Sequence, residues 1–431
     1  MFKTFIDFFK NKDVRKRILI TLLILFIYRL GSAIPAPGIN STIIKLSANS
    51  ILGMMNILGG GSIEQMSIFS LGVGPYITAS IIIELLAMDI IPPLAEMAKS
   101  GKKGRQQMDR ITRYLGVAMA LIQGYFIVRL LAGQYNMVDN PGFASYAYIA
   151  VIFTAGTMFL LWLADKITTY GLGNGTSMII FAGIVADMPN NWKIVYNTFL
   201  GEQATSSLGV WGFVGYCVMY LAMIILVVLM QLAERRIPIQ QSSSRALNKT
   251  KGDLNHIPLK INSASVVPVI FASALIQGPQ IIASWVNASA YEWLQKICDF
   301  TSPWFLLFYA ALIMLFTFFY TNLTIDPQKM ADDLGKNGQY IPGVRPGSET
   351  KNYVSKVLNR ITVLGALLLT FIAILPYALP IILKAAFNVQ ISSAVSVGGT
   401  GIILVVGIAM DTIKQMKGML TSKQYKSFVG K

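Results

Sequence analysis

An all-α polytopic membrane protein, with ten transmembrane helices arranged as two inverted five-helix halves, is the fold class this sequence predicts. Three observations predict it. Apolar residues make up 54% of the 431 positions and charged residues only 13%, against about 45–50% and about 25% in an average soluble domain. The charged residues collect in blocks separated by apolar runs of roughly 17–24 residues, the length that crosses a hydrocarbon core about 30 Å thick. Lys and Arg fill alternate gaps between those runs and leave the intervening gaps almost bare.

Ten runs reach spanning length, at roughly 18–34, 75–91, 113–133, 147–166, 174–189, 209–233, 264–287, 303–325, 361–382 and 396–415. Each must be helical in lipid, where no water satisfies open backbone groups. The first passes into residues 31–37 without a small-x-small cleavage site, so the N-terminus is expected to be retained. Lys3, Lys10, Lys12, Arg15, Lys16 and Arg17 precede or open it. Lys99, Lys102, Lys103, Arg105, Arg110 and Arg113 follow the second run, and Lys166 closes the fourth. Long basic loops follow the sixth run, at 234–262, and the eighth, at 326–360; Lys414, Lys417, Lys423, Lys426 and Lys431 end the chain. All of these fall on one side of a ten-span chain, whereas the other side holds Lys45, Lys193, Lys296 and Lys384. The positive-inside rule then puts both termini and the long loops in the cytoplasm. Arg29 and Arg129 lie near the outer ends of their spans, where long side chains snorkel to the interface.

Five spans precede an outer loop at about 190–208 and five follow it. Because five is odd, a second copy of the unit lies upside down in the membrane, which divides the chain into halves of 1–190 and 191–431. In inverted-repeat folds, interrupted helices at matching positions mark the pathway. The second span of the first half is entered through Gly72, Gly74 and Pro75, and that of the second half contains Pro268, Gly278 and Pro279. The stretch 51–58, ILGMMNIL, is apolar but too short to span, and Gly59, Gly60 and Gly61 break it before an amphipathic stretch at 63–69. Such a segment either re-enters the helix bundle or lies on the outer surface.

Several function classes recede. Cys217 and Cys298 are too few for a disulfide framework, and a single histidine, His256, removes most metal-site and His-based catalytic readings. The spans carry no paired Asp or metal-ligand spacing, so neither an enzyme nor a cofactor is expected. The net charge of +16 is first a topology signal that also meets anionic lipid, with any ribosomal RNA contact in addition. A secondary transporter would share inverted repeats and broken helices, but it needs ionisable groups near mid-membrane, where this chain offers little beyond Glu84.

Three stretches carry more specific information: SIFSLGVGPYITASIIIELL at 67–86, GLGNGTSMIIFAGIVA at 171–186 and IPGVRPG at 341–347. In this order, against ten spans, the chain resembles the SecY family, the central channel subunits of bacterial Sec protein translocases, along essentially its whole length. The resemblance implies a channel that passes unfolded polypeptides across the plasma membrane and releases apolar segments sideways into lipid. It implies a central pore between the halves, narrowed by an apolar ring at Val73, Ile77, Ile180, Ile270 and Leu404. Branched aliphatic side chains exclude ions by dewetting and offer no hydrogen bond that would hold a passing chain.

Residues 51–66 are similar to the family's plug, with Ile51, Leu52, Met54, Met55, Ile57, Leu58 and Ile63 as its apolar side chains and Gly59, Gly60 and Gly61 as a flexible return. The family's lateral gate lies between spans two and three on one side and seven and eight on the other. Matching positions at or beside it are Ile83, Glu84, Asn174, Ser273 and Gln277. Glu84, ionisable in a membrane helix, is expected to face protein or water, with Asn174 as its partner. By the same resemblance the two long loops dock the ribosome or the SecA motor, through Arg345 and accessory contacts at Arg235, Arg236, Arg245, Lys249 and Lys251. Proline and glycines around Arg345 would hold its guanidinium on a stiff turn for bidentate contact with carboxylate or phosphate. SecE and SecG as membrane subunits, signal peptides and unfolded polypeptide as passengers, and anionic lipids complete the implied partners.

Overall fold

The computed structural model describes residues 11–39, 62–88, 90–135, 138, 141–201, 209–241, 256–283, 302–387 and 394–429. Its first half holds α1 (Lys12–Ser32), α2 (Gly74–Leu86), a short α3 (Pro92–Lys99), α4 (Lys102–Tyr135), α5 (Phe143–Tyr170) and α6 (Gly175–Phe199). The second half holds α7 (Gly209–Leu232), α8 (Val267–Ala283), α9 (Pro303–Thr324), a short α10 (Pro327–Lys336), α11 (Ser348–Phe387) and α12 (Ala394–Val429). Apart from α3 and α10, these helices coincide with the ten expected spans. Among the described residues, five of them are long and apolar enough to cross a membrane by length and composition. By contrast α2, with 13 residues, rises only about 20 Å, and the turns of 67–73 carry the chain into it.

The same neighbours recur in both halves. In the first, α2 packs on α4, α4 on α5 and α5 on α6, while α1 lies against α5 and α6. In the second, α8 packs on α9, α9 on α11 and α11 on α12, while α7 lies against α11 and α12. Across the divide, α12 packs on α6 and α8 touches α2. Within the helices, hydroxyls that would otherwise be stranded in lipid turn back to the carbonyl one turn earlier, as at Thr154, Thr168, Thr317, Thr321 and Thr362. Outward faces stay apolar: Leu19, Leu22, Leu23 and Phe26 on α1, and Val214, Val218, Leu221, Ile225 and Leu229 on α7, are exposed at helical spacing, as lipid-facing surfaces are.

Several boundaries differ from those expected, each for a physical reason. The α6 helix runs through Pro189 to Phe199, well into the expected outer loop, because Trp192, Val195 and Phe199 pack on Phe213, Tyr216 and Tyr220 of α7. The expected interruption at Gly278 and Pro279 is not a break: α8 continues through both to Ala283. Its other proline, Pro268, falls in the first turn, where no intrahelical bond is lost. Helix α2 stops at Leu86, short of the expected 91, and Ile91 is held extended ahead of Pro92 at the start of α3. At their basic ends, α4, α11 and α12 run past the expected spans into charged sequence.

Two short antiparallel ribbons, absent from the sequence reading, join the long basic loops. Strands β1 (Glu234–Pro238) and β3 (His256–Lys260) pair with Arg236 opposite Pro258, and β2 (Gln240–Gln241) pairs with β4 (Gln339–Tyr340). Under them lies a separate apolar core of Ile237, Ile239, Leu259, Leu334, Ile341 and Val354. Asp326 starts α10 above this core, its carboxylate accepting from the Gln328 and Lys329 amides.

Candidate functional site

The five ring positions come from four helices and meet in one apolar cluster. Val73 is the residue before α2, Ile77 lies one turn along it, Ile180 is on α6, Ile270 on α8 and Leu404 on α12. Val73, Ile180 and Leu404 are buried members of the largest apolar cluster, and Ile77 and Ile270 are partly buried residues packed against it. Residues of α1, α5, α7, α9 and α11, including Ile24, Leu160, Val227, Tyr309 and Ile372, also belong to that cluster. The five side chains carry no polar atom, so each contributes only dispersion contacts to that cluster.

Of the plug residues, Ile51, Leu52, Met54, Met55, Ile57, Leu58, Gly59, Gly60 and Gly61 lie outside the described residues. Ile63 is described and completely buried, in a second cluster with Ala36, Leu71, Ile127 and Phe153 of the first half. Ser62 and Ser67 pin the turn that follows: the Ser67 amide and the Ser70 hydroxyl both donate to the Ser62 carbonyl, at 3.0 Å each.

The gate residues divide. Ile83 is buried on α2, and Glu84 beside it accepts from Ser80 Oγ at 3.3 Å, with its Oε2 buried and unpartnered among the described residues. Asn174 is not the partner of Glu84. It is an exposed cap of α6, its Oδ1 accepting from the Thr176 amide at 3.1 Å and hydroxyl at 2.7 Å. The local sequence dictates that role, since Gly173 (φ +77°) turns the chain out of α5 and an Asn fits the position before a helix. Ser273, buried on α8, donates to the Val269 carbonyl at 2.8 Å and lies 3.3 Å from the Tyr309 hydroxyl of α9. Both contacts stay within α8 and α9. Gln277 lies within α8, and its side chain is outside the described residues.

The basic positions sit on the ribbon platform. Arg345 is exposed on the turn between β4 and α11, with Gly343 at φ +81° and Gly347 at φ +98° on either side. Its carbonyl accepts from Thr350 Oγ1 at 2.8 Å, which ties the turn to the start of α11. Arg235 and Arg236 are exposed on β1, and Arg236 Nε pairs with Glu234 Oε1 at 2.9 Å. Arg245, Lys249 and Lys251 lie outside the described residues. The platform core was missed from sequence because its apolar residues are scattered over two loops separated by nearly a hundred positions. The IxI pattern of Ile237 and Ile239 was the available signal.

Comparison with known proteins gives one family. The SecY family profile matches residues 67–413. The protein translocase subunit SecY of Halalkalibacterium halodurans is 40% identical over 441 residues, with both chains covered completely. Those of Bacillus licheniformis and Staphylococcus carnosus are each 39% identical, again over the full length of both chains. Among solved structures, one described as the structure of a protein conducting channel superposes with a TM-score of 0.64 at 19% identity, covering 93% of this chain and 91% of that one. Sec61 in a canine ribosome-channel complex from the endoplasmic reticulum gives 0.63 at 18% identity with the same coverage. An apolar junction of two similarly packed halves, the three sequence motifs and full-length likeness to bacterial relatives lead to one statement: the chain belongs to the SecY family and is a multi-pass membrane channel of the protein-translocation type.

Proposed function

We propose that Val73, Ile77, Ile180, Ile270 and Leu404 form the constriction through which an unfolded polypeptide passes, and that the seam between α2 and α8 is the gate through which apolar segments leave for lipid. The observation that carries this reading is the convergence of these residues, from α2, α6, α8 and α12, on a single apolar cluster at the junction of the halves. An aliphatic seal has no preferred sequence to bind, which suits a passenger of arbitrary composition. The channel supplies no energy itself. A hydrophobic segment opens it by binding the open arrangement better than the closed one.

The two groups of five spans, 1–190 and 191–431, act as inverted halves, a reading supported by their repeated packing order. Both termini and the ribbon platform face the cytoplasm, a reading supported by the one-sided distribution of Lys and Arg. Arg345, Arg235 and Arg236 on the platform, with Arg245, Lys249 and Lys251, dock the ribosome or the SecA motor, and residues 51–66 plug the constriction from outside. By family analogy SecE clamps the two halves and SecG lies at the periphery, and anionic lipids meet the basic end.

The test is a site-specific crosslink. With single cysteines at Ile77, Ile180 or Ile270, a secretory chain stalled in transit should join all three positions, while a cysteine at the lipid-facing Leu221 should not react. Crosslinking at Leu221 with none at the ring would place the passage elsewhere and end this reading.

A further inference from the structure

Residues 261–266 lead from β3 into α8 and are gripped on three sides. The Ile261 amide donates to the Ala233 carbonyl, just past α7, at 3.0 Å. Two glycines make room for the segment: a Cβ on Gly365 of α11 would strike the Ile261 carbonyl, and a Cβ on Gly407 of α12 would strike Val266. Asn262 is buried and donates from Nδ2 to the Ser265 carbonyl at 2.8 Å. Ser265 itself has φ +54°, a left-handed conformation that a side chain enters only when its surroundings enforce it. Its hydroxyl donates to Asp411 Oδ2 of α12 at 2.7 Å and accepts from Gln231 Nε2 of α7 at 3.3 Å. Lys414, one turn beyond Asp411, donates to the Gln231 carbonyl at 2.7 Å and closes the circuit.

This circuit sits at the start of α8, the helix read above as one side of the gate. Helix α8 begins two residues after Ser265 and packs against α2. Its 17 residues extend about 25 Å, so a tilt of roughly 10° at the root displaces the far end by about 4 Å. Backbone relaxation at one residue is enough to produce such a tilt.

We propose that Ser265 and Asp411 form a latch that holds α8 shut. The bond to a carboxylate, stronger than one between neutral groups, keeps Ser265 in its strained conformation with α8 against α2. When that bond is lost, Ser265 relaxes and the helix tilts away. A hydrogen bond that biases two backbone states of one residue supplies the differential interaction that a two-state gate requires. Both are positioning residues and touch no passenger. The inference rests on the reading of α2 and α8 as the gate.

Removing the carboxylate and removing the strain have opposite effects, which makes the latch testable. Asp411→Ala should export a precursor with a shortened, less apolar signal sequence at least fivefold faster than the unaltered protein, at matched channel abundance. Adding Ser265→Gly, which accepts φ +54° without strain, should bring that rate back to within twofold of the unaltered value. An unchanged signal requirement in Asp411→Ala overturns the latch. So does a double variant that stays as permissive as Asp411→Ala, because Asp411 would then act other than through Ser265. Asp411→Asn, which keeps the shape but weakens the acceptor, gives the same comparison with a smaller gain if the alanine variant fails to accumulate. A separate arm tests the gate: with Cys217 and Cys298 replaced by serine, one cysteine is placed on α2, one on α8, and the two are joined by a bifunctional thiol reagent. Export through the joined channel removes the gate reading, whereas blocked export beside unresponsive Asp411 variants removes the latch alone.

Discussion

Arg345 illustrates what a single residue does and how far the sequence exposes it. Its guanidinium stands clear of the platform on a turn whose two flanking glycines have positive φ, and the Thr350 hydroxyl fixes the turn's carbonyl. Arg345→Glu should leave the protein in the membrane at close to normal abundance while reducing motor-driven export at least tenfold, measured as protease-protected precursor in vesicles. Full export by that variant would detach Arg345 from docking. The turn was legible because Pro and Gly restrict backbone angles wherever they occur. Asn174 was misread for the converse reason: an Asn beside a glycine turn is equally a cap and a polar contact on paper, and only the position of Thr176 decides between them. Ser265 was not legible at all, since nothing in the letters around it requires a left-handed serine.

Elements were easier to find than to bound. Long apolar runs must be helices in lipid, so α1, α4, α5, α7, α9 and α11 followed from composition. Their ends did not, because a helix that leaves the membrane continues as long as neighbours or water satisfy it, as α6 does past Pro189 on the Tyr216 cluster. The ribbons escaped notice because β1 reads ERRIP, charged and proline-ended, and gains its strand character from β3 alone. Their small core makes a sharp forecast. Leu259, almost completely buried in the platform core with Ile237, Leu334 and Val354, should cost about 2–5 kcal/mol when cut to alanine, the range for a large aliphatic removed from a packed site. The expected readout is faster proteolysis within 234–262 and loss of ribosome or motor binding, with the membrane helices still protected. Equal protease resistance would mean that the platform does not depend on this core.

For the whole molecule, motif order carried the family, and the helices pack in the same sequence, α2–α4–α5–α6 and α8–α9–α11–α12, in the two groups of five. Deleting residues 57–65 should raise ion conductance through resting channels in planar bilayers at least tenfold, and an unaltered baseline would remove the plug from the account. The β2–β4 pairing has one more consequence, for biosynthesis. Gln240 must wait for Tyr340, and the core beneath them needs Val354. A nascent copy of this chain must therefore be synthesised through Val354 before that small core can close, so the platform folds only on a nearly finished subunit.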